Sequence, residues 1–266
     1  MPSTEVGYLN RVWKDRPELP RILSGDTRRA NTSSQQVEIH DARPLAAAGA
    51  LDLDIQGFVH ATHPTTVTDF RDPAQIQEVY IPEMAEFVGN LTGADEVFAH
   101  FFAPIRSENP EFFFGAYSLF MHCDYALRVE QKRTREVLRM NESPLAESAE
   151  GWHFAWYNVW RPIDHEVQAR PLTLLDASTL EAADLIDYRP TEKEFGSLPV
   201  FNEAQRLYYF PCMQTDEVAI FKQLDTRRER AQACPHTSFE DPESPPDALP
   251  RRSIELRLMC AFAPET

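Results

Sequence analysis

The run Trp152-His153-Phe154-Ala155-Trp156-Tyr157-Asn158-Val159-Trp160-Arg161 constrains the fold more than any other stretch of this 266-residue chain. Its aromatic and β-branched residues suit a pleated strand, and its two faces differ, as successive side chains on a strand point to opposite sides. Trp152, Phe154, Trp156 and Trp160 share one face with Asn158, while His153, Tyr157 and Arg161 share the other. The first reads as core and the second as the face of functional interest. A strand this aromatic needs a second layer to cover it.

Other segments have strand character too: Val37–His40, Gly57–Val59, Val97–Arg106, Phe112–Met121, Pro171–Leu175, Arg206–Phe210, Val218–Leu224 and Ser253–Phe262. One helix is strongly marked, with Asp72 as N-cap, Pro73 in the first helical position, an apolar stripe from Ile76 to Leu91 and a stop at Gly93; Pro82 is expected to break or kink it. Residues 126–141, rich in Arg, Glu and Leu, suit a second helix that acts as a lid or covers a sheet face. Residues 1–36 read as a polar, loosely ordered N-terminal arm. The expected fold class is mainly β with flanking helices and a jelly-roll or similar double sheet at its core.

Charge and motif content exclude several functions. The net charge of −16 argues against nucleic-acid binding, which needs a basic footprint. No apolar run marks a secretory signal or membrane span, so a cytoplasmic protein is expected. The four cysteines, Cys123, Cys212, Cys234 and Cys260, lack any C-x-x-C spacing and read as reduced thiols. Neither a G-x-G-x-x-G nor a G-x-x-x-x-G-K-[ST] phosphate cradle is present.

The chemistry centres on His122-Cys123-Asp124, an H-x-D at the end of the aromatic stretch Phe112–Met121. Residues i and i+2 of a strand project to one side, so His122 and Asp124 can take adjacent positions on one metal. His236 would complete a two-histidine, one-carboxylate set, which leaves the opposite face of an iron open for a co-substrate and O2. A 2-oxo diacid there calls for a planar guanidinium at its far carboxylate, and Arg251-x-Ser253 has the right spacing. Arg257, on the same strand parity, is a rival anchor, and Arg161 a further candidate. His60 and His63 read as surface residues, and Tyr125 as a packing residue beside the Asp124 position.

An ordered series of short motifs then carries a resemblance over most of the chain. It comprises Gly57-Phe58, Tyr80-x-Pro82-Glu83, Thr92-Gly93-Ala94, His122-Cys123-Asp124-Tyr125, Asn158-Val159-Trp160-Arg161-Pro162, Tyr208-Tyr209-Phe210-Pro211, Pro235-His236-Thr237-Ser238-Phe239 and Arg251-x-Ser253-Ile254-Glu255-Leu256-Arg257. The sequence resembles the CmcJ/NvfI-type non-haem iron hydroxylase/desaturase family, with its gibberellin desaturase-like members. The resemblance implies a double-stranded β-helix (cupin-like) core and Fe(II) held by His122, Asp124 and His236. It also implies 2-oxoglutarate and O2 as co-substrates, with a small natural product of secondary metabolism hydroxylated, desaturated or converted to an endoperoxide. Residues 37–266 are expected to form a single jelly-roll oxygenase domain, with a helical lid around 126–148 suggested by its composition, and the protein to form a homo- or hetero-dimer. The segment Ala126–Ser148 departs from the family pattern, as does Cys212, which stands where a basic residue is expected. The alternatives are a non-catalytic jelly-roll binding subunit and an iron cupin dioxygenase that uses no 2-oxo acid.

Overall fold

The computed structural model describes residues 3–100, 105–107 and 117–264. Its strands, in chain order, are β1 (Ser3–Leu9), β2 (Thr32–Asp41), β3 (Phe58–Thr62), β4 (Glu96–Ala99), β5 (Ile105–Arg106), β6 (His153–Pro162), β7 (Leu172–Leu175), β8 (Leu185–Tyr188), β9 (Gly196–Pro199), β10 (Leu207–Tyr209), β11 (Glu217–Asp225), β12 (His236–Ser238) and β13 (Ser253–Phe262). The helices are α1 (Gly25–Asn31), α2 (Arg43–Ala47), α3 (Pro73–Gln75), α4 (Ile81–Thr92) and α5 (Glu130–Met140). One sheet runs β1-β2-β10-β7-β12 and the other β3-β11-β6-β13-β4, with β5 also paired to β13. These two sheets form the mainly β, cupin-like jelly roll that the sequence leads one to expect. Of the aromatic stretch Phe112–Met121, residues 112–116 lie outside the described residues; Phe120 and His122 form isolated bridges to Gly7 and His236.

Strand parity decides what each face of the large sheet does. On β6, Tyr157 and Val159 face outward with Ile254, Leu256 and Leu258 of β13, and Tyr80, Met84 and Val88 of the α4 region close over them. Phe154 and Trp156 face the other way, against Val137 and Leu138 of α5, so α5 covers a sheet face. Among the described residues none of 126–148 lines the cavity described below.

The 72–92 helix begins and ends as expected: the Asp72 side chain accepts from the Ala74 N–H, and Gly93 closes α4 in the left-handed conformation (φ 69°). Pro82 does not break it. Proline has no N–H to give and crowds the preceding turn of a regular α-helix, and here the turn over Ile76–Tyr80, just before it, is a widened π-turn. The helix therefore runs on through Pro82.

The N-terminal segment departs from expectation. Far from being a loose arm, β1 pairs antiparallel with β2 from Ser3↔Glu38 to Leu9↔Thr32, and Val6, Tyr8 and Leu9 are buried. Thr4, Val6 and Tyr8 alternate with less buried residues and give the strand one buried face, while Leu9 packs into a separate cluster; the polar linker that follows obscures this signal. In that linker α1 is capped by Ser24, whose Oγ accepts from the Thr27 N–H while the Thr27 Oγ accepts from the Ser24 N–H.

Gly196 on β9 fixes how closely the ligand-bearing strand can approach. A Cβ there would lie 2.8 Å from the Cys123 carbonyl oxygen and 2.7 Å from the Tyr188 ring. Gly196→Ala is expected to cost about 1–3 kcal/mol by overpacking. Calorimetry should show a lower melting midpoint, and metal titration a weaker site, because the displaced strand carries His122 and Asp124.

Candidate metal centre and co-substrate cavity

Backbone pairing, not sequence proximity, assembles the candidate metal ligands. His122 and His236 form an antiparallel bridge in which each N–H donates to the other's carbonyl, at 3.2 and 2.9 Å. On its other edge the segment pairs Cys123 with Ser197. Pairing on both edges holds the segment extended, so His122 and Asp124 project together and Cys123 points away. The His122 and His236 ring centroids are 4.4 Å apart, and His122 Nε2 is 3.9 Å from Asp124 Oδ1. The three side chains offer one ligand atom each, all within 4.8 Å of one another. This is the donor set for a ferrous ion bound on one face.

The neighbours orient these groups. His122 Nδ1 lies 3.0 Å from the Phe120 carbonyl and 3.2 Å from Ser118 Oγ, which leaves Nε2 for a metal. Asp124 Oδ2 accepts from Asn158 Nδ2 and Oδ1 from Arg257, both at 2.7 Å. Burial opposes ionisation of Asp124, but Arg257 and the two imidazoles outweigh it and hold the carboxyl below its ordinary range. Burial and His122 push His236 down to about 3, so its ring is neutral and a competent ligand at neutral pH. Gln223 Oε1 accepts the Asp124 N–H at 2.9 Å, while its amide nitrogen lies 3.3 Å from the Cys234 carbonyl and 3.4 Å from His236 Nδ1.

A cavity of about 320 Å³ opens beside the triad between the sheets. Trp160, Glu255 and Arg257 line it from the large sheet, and Leu172 with His236–Ser238 from the other. Arg251 also lines it, 4% exposed, its guanidinium carbon 4.3 Å from the Tyr117 ring centroid and 5.3 Å from that of Trp160. One guanidinium nitrogen donates to the Arg170 carbonyl at 2.6 Å. Among the described residues its Nε has no partner, nor does Oγ of Ser253 two residues on, and both atoms are fully buried. A cationic side chain left with a buried, unsatisfied donor beside a buried hydroxyl fits an anionic group that accepts from both. Burial lowers Arg251 to about 10, still cationic at neutral pH.

Ser253, Glu255 and Arg257 share the inner face of β13 and Arg251, two residues before it, lines the same cavity, but Arg257 is already engaged. It binds Asp124 and, at 3.1 and 3.2 Å, Glu255 Oε1. Arg161 is elsewhere: its side chain is fully buried on the outer face of β6, donates to the His63 carbonyl and lies 5.5 Å from the Tyr80 ring centroid. The functional face of β6 is therefore the one with Asn158 and Trp160, the reverse of the sequence expectation. His60 and His63 are half-buried instead of exposed; His60 stacks on Phe210 and lies 3.2 Å from Glu217, and the His63 ring packs against Phe87. Cys212, exposed and with φ 48°, lines a separate groove with Pro211 and Asp241.

Sequence reasoning missed Asn158, Gln223 and Glu255. Each is a polar residue inside an otherwise apolar strand, a signal that a buried polar partner exists but not which one. Asn158→Ala and Arg257→Met are each expected to weaken Fe(II) affinity about 10–100-fold, since groups that orient a ligand carry that much of metal binding. Anaerobic Fe(II) titration followed by competition with a chelator measures it.

Two imidazoles and one carboxylate on a jelly roll define the non-haem iron oxygenase class, and the comparisons agree. Residues 12–261 match the family described as "Oxidoreductase/YMDC permease-like domain". The chain is 31% identical to the Fe(II)/2-oxoglutarate-dependent dioxygenase nvfI of Aspergillus novofumigatus over 86% of its length and 84% of the relative's. It is 27% identical to the alpha-ketoglutarate-dependent dioxygenase phiK of a Fungal sp., over 88% and 86%. The solved iron and alpha-ketoglutarate-dependent endoperoxidase NvfI superimposes with a TM-score of 0.83 at 26% identity, covering 99% of this chain and 98% of that one. This chain belongs to that oxidoreductase family and is of the NvfI type. Among the described residues no helix is long and apolar enough to cross a membrane.

Proposed function

We propose that this chain is a non-haem Fe(II)/2-oxoglutarate-dependent dioxygenase that oxidises a small natural product in secondary metabolism by hydroxylation, desaturation or endoperoxide formation. The observation that carries the reading is the placement of the His122, Asp124 and His236 ligand set and the Arg251 guanidinium on one cavity, with the unsatisfied Ser253 hydroxyl two residues along from Arg251.

In this reading Fe(II) with 2-oxoglutarate and O2 supplies the oxidant, and the 2-oxo acid leaves as succinate and CO2. The protein's part is positional. Phe120 and Ser118 hold His122 with Nε2 inward, Arg257 and Asn158 hold the Asp124 carboxylate ionised, and burial keeps His236 neutral. Arg251 and Ser253 take the far carboxylate of 2-oxoglutarate, which fixes the reach of its 2-oxo acid end toward the metal ligands. Arg251 is favoured over Arg257 as the anchor, because Asp124 and Glu255 already take the Nε and one terminal nitrogen of Arg257. Trp160, Leu172 and Phe120 give apolar walls that keep water from the oxidant.

The test is anaerobic addition of Fe(II) and 2-oxoglutarate to metal-free protein, watching for the weak visible charge-transfer band of an iron-bound 2-oxo acid. A band that His122→Ala abolishes supports the reading. Tight iron binding with no band would remove 2-oxoglutarate and leave a cupin-type dioxygenase. A cytoplasmic location accords with the four unpaired cysteines, and the proposed homo- or hetero-dimer is read by light scattering against the 30.5 kDa of one chain.

A further inference from the structure

We propose that the substrate carries a carboxylate and that Arg28, delivered by the N-terminal segment, recognises it; this rests on the oxygenase reading above. Arg28 lies on α1, half-buried, and lines the same cavity as the metal ligands. Its guanidinium carbon is 5.8 Å from the centroid of the Phe120 ring, which is in turn 5.5 Å from that of His122. The residue therefore stands one aromatic ring away from the triad.

The arginine has no carboxylate or hydrogen-bond partner for its side chain among the described residues. Its neighbour Arg29 pairs with Asp26, and Arg21 pairs with Glu192. In a chain of net charge −16 an unpaired arginine facing a cavity is the exception.

Charge at the cavity points the same way. Among the lining residues Arg28, Arg251 and Arg257 stand against Asp124 and Glu255, and both carboxylates are bound by Arg257. A ferrous ion adds two positive charges and 2-oxoglutarate two negative ones, so the lining keeps its surplus of positive charge when both are bound. A substrate anion would offset that surplus, and a guanidinium fork matches the plane of a carboxylate with two parallel hydrogen bonds. The local field would also draw an acid that the rest of this acidic surface repels. Phe120, Trp160 and Leu172 supply the apolar walls for its hydrocarbon part.

The test compares 1-naphthaleneacetate with its methyl ester as probes, titrated calorimetrically under anaerobic conditions into full-length protein loaded with Fe(II) and 2-oxoglutarate. Wild type is expected to bind the acid about ten-fold or more tightly than the ester, the scale of one charge-assisted hydrogen-bonded contact. Arg28→Gln should bring that ratio close to one while 2-oxoglutarate affinity stays unchanged, and Arg28→Lys should restore part of it. Equal binding of acid and ester by wild type, binding of neither, or a ratio that survives Arg28→Gln would overturn the proposal. Loss of 2-oxoglutarate affinity in Arg28→Gln would also overturn it, making Arg28 a co-substrate anchor. Failure of wild type itself to bind 2-oxoglutarate is a different result and sinks the oxygenase reading instead.

Discussion

His236→Ala is expected to reduce 2-oxoglutarate turnover by about 10³-fold or more, because the metal's electrostatic contribution to such a reaction is several kcal/mol and depends on its ligand set. The effect should appear as lost metal, with Fe(II) affinity and the visible band falling together. Folding should survive, since the β12 backbone bonds to His122 and Leu174 do not need the imidazole. The side chain does contact Phe221, at 4.7 Å between ring centroids, so circular dichroism and a thermal melt must accompany the assay. A variant that keeps wild-type turnover and a wild-type melt would remove His236 from the metal centre.

The second large effect concerns the co-substrate. Arg251→Met should raise KM for 2-oxoglutarate about 10²-fold, a charged hydrogen-bonded contact contributing roughly 1.5–3 kcal/mol. Fe(II) affinity should hold, because Arg251 touches no metal ligand; its contacts are the Arg170 carbonyl, Tyr117 and Trp160. Arg257→Met should reverse the pattern, with weaker Fe(II) binding and a smaller direct effect on 2-oxoglutarate. Steady-state KM measured at saturating iron separates the two. Equal small effects on KM from both would remove both from the co-substrate site. The methionine keeps much of the apolar stem, which limits the packing loss that truncation to alanine would add.

The contrast between these arginines shows what strand periodicity delivers. That Arg251, Ser253 and Arg257 face one way, and that His122 and Asp124 do, follows from the two-residue repeat of an extended chain and is legible without any fold. The helix limits at Asp72 and Gly93 were legible for a similar reason: capping depends on residues within one turn.

Which of two faces looks inward is another matter. Strand β6 presented two plausible faces, and the one with Arg161 was the wrong choice. The decision lies with the π-turn and α4, whose Tyr80, Met84 and Val88 cover the outer face and bury Arg161 there, and with Asp124, which meets Asn158 from inside. Each of those contacts spans many residues of chain, so no local pattern encodes it. The N-terminal segment makes the same point, since the polar residues that suggested a loose arm surround a strand whose partner is β2.

By itself, then, the sequence determined the mainly β class, the residues that share a strand face and, through an ordered series of motifs, the family and the candidate ligand set. Only the tertiary structure decided that His122 and His236 meet across a two-residue bridge, that Arg257 serves Asp124 while Arg251 keeps free donors, and that Arg28 reaches the cavity. The physical reason is one of range. Backbone stereochemistry fixes direction within a strand, whereas the pairing of strands and the burial of their faces are settled by contacts between residues far apart in the chain.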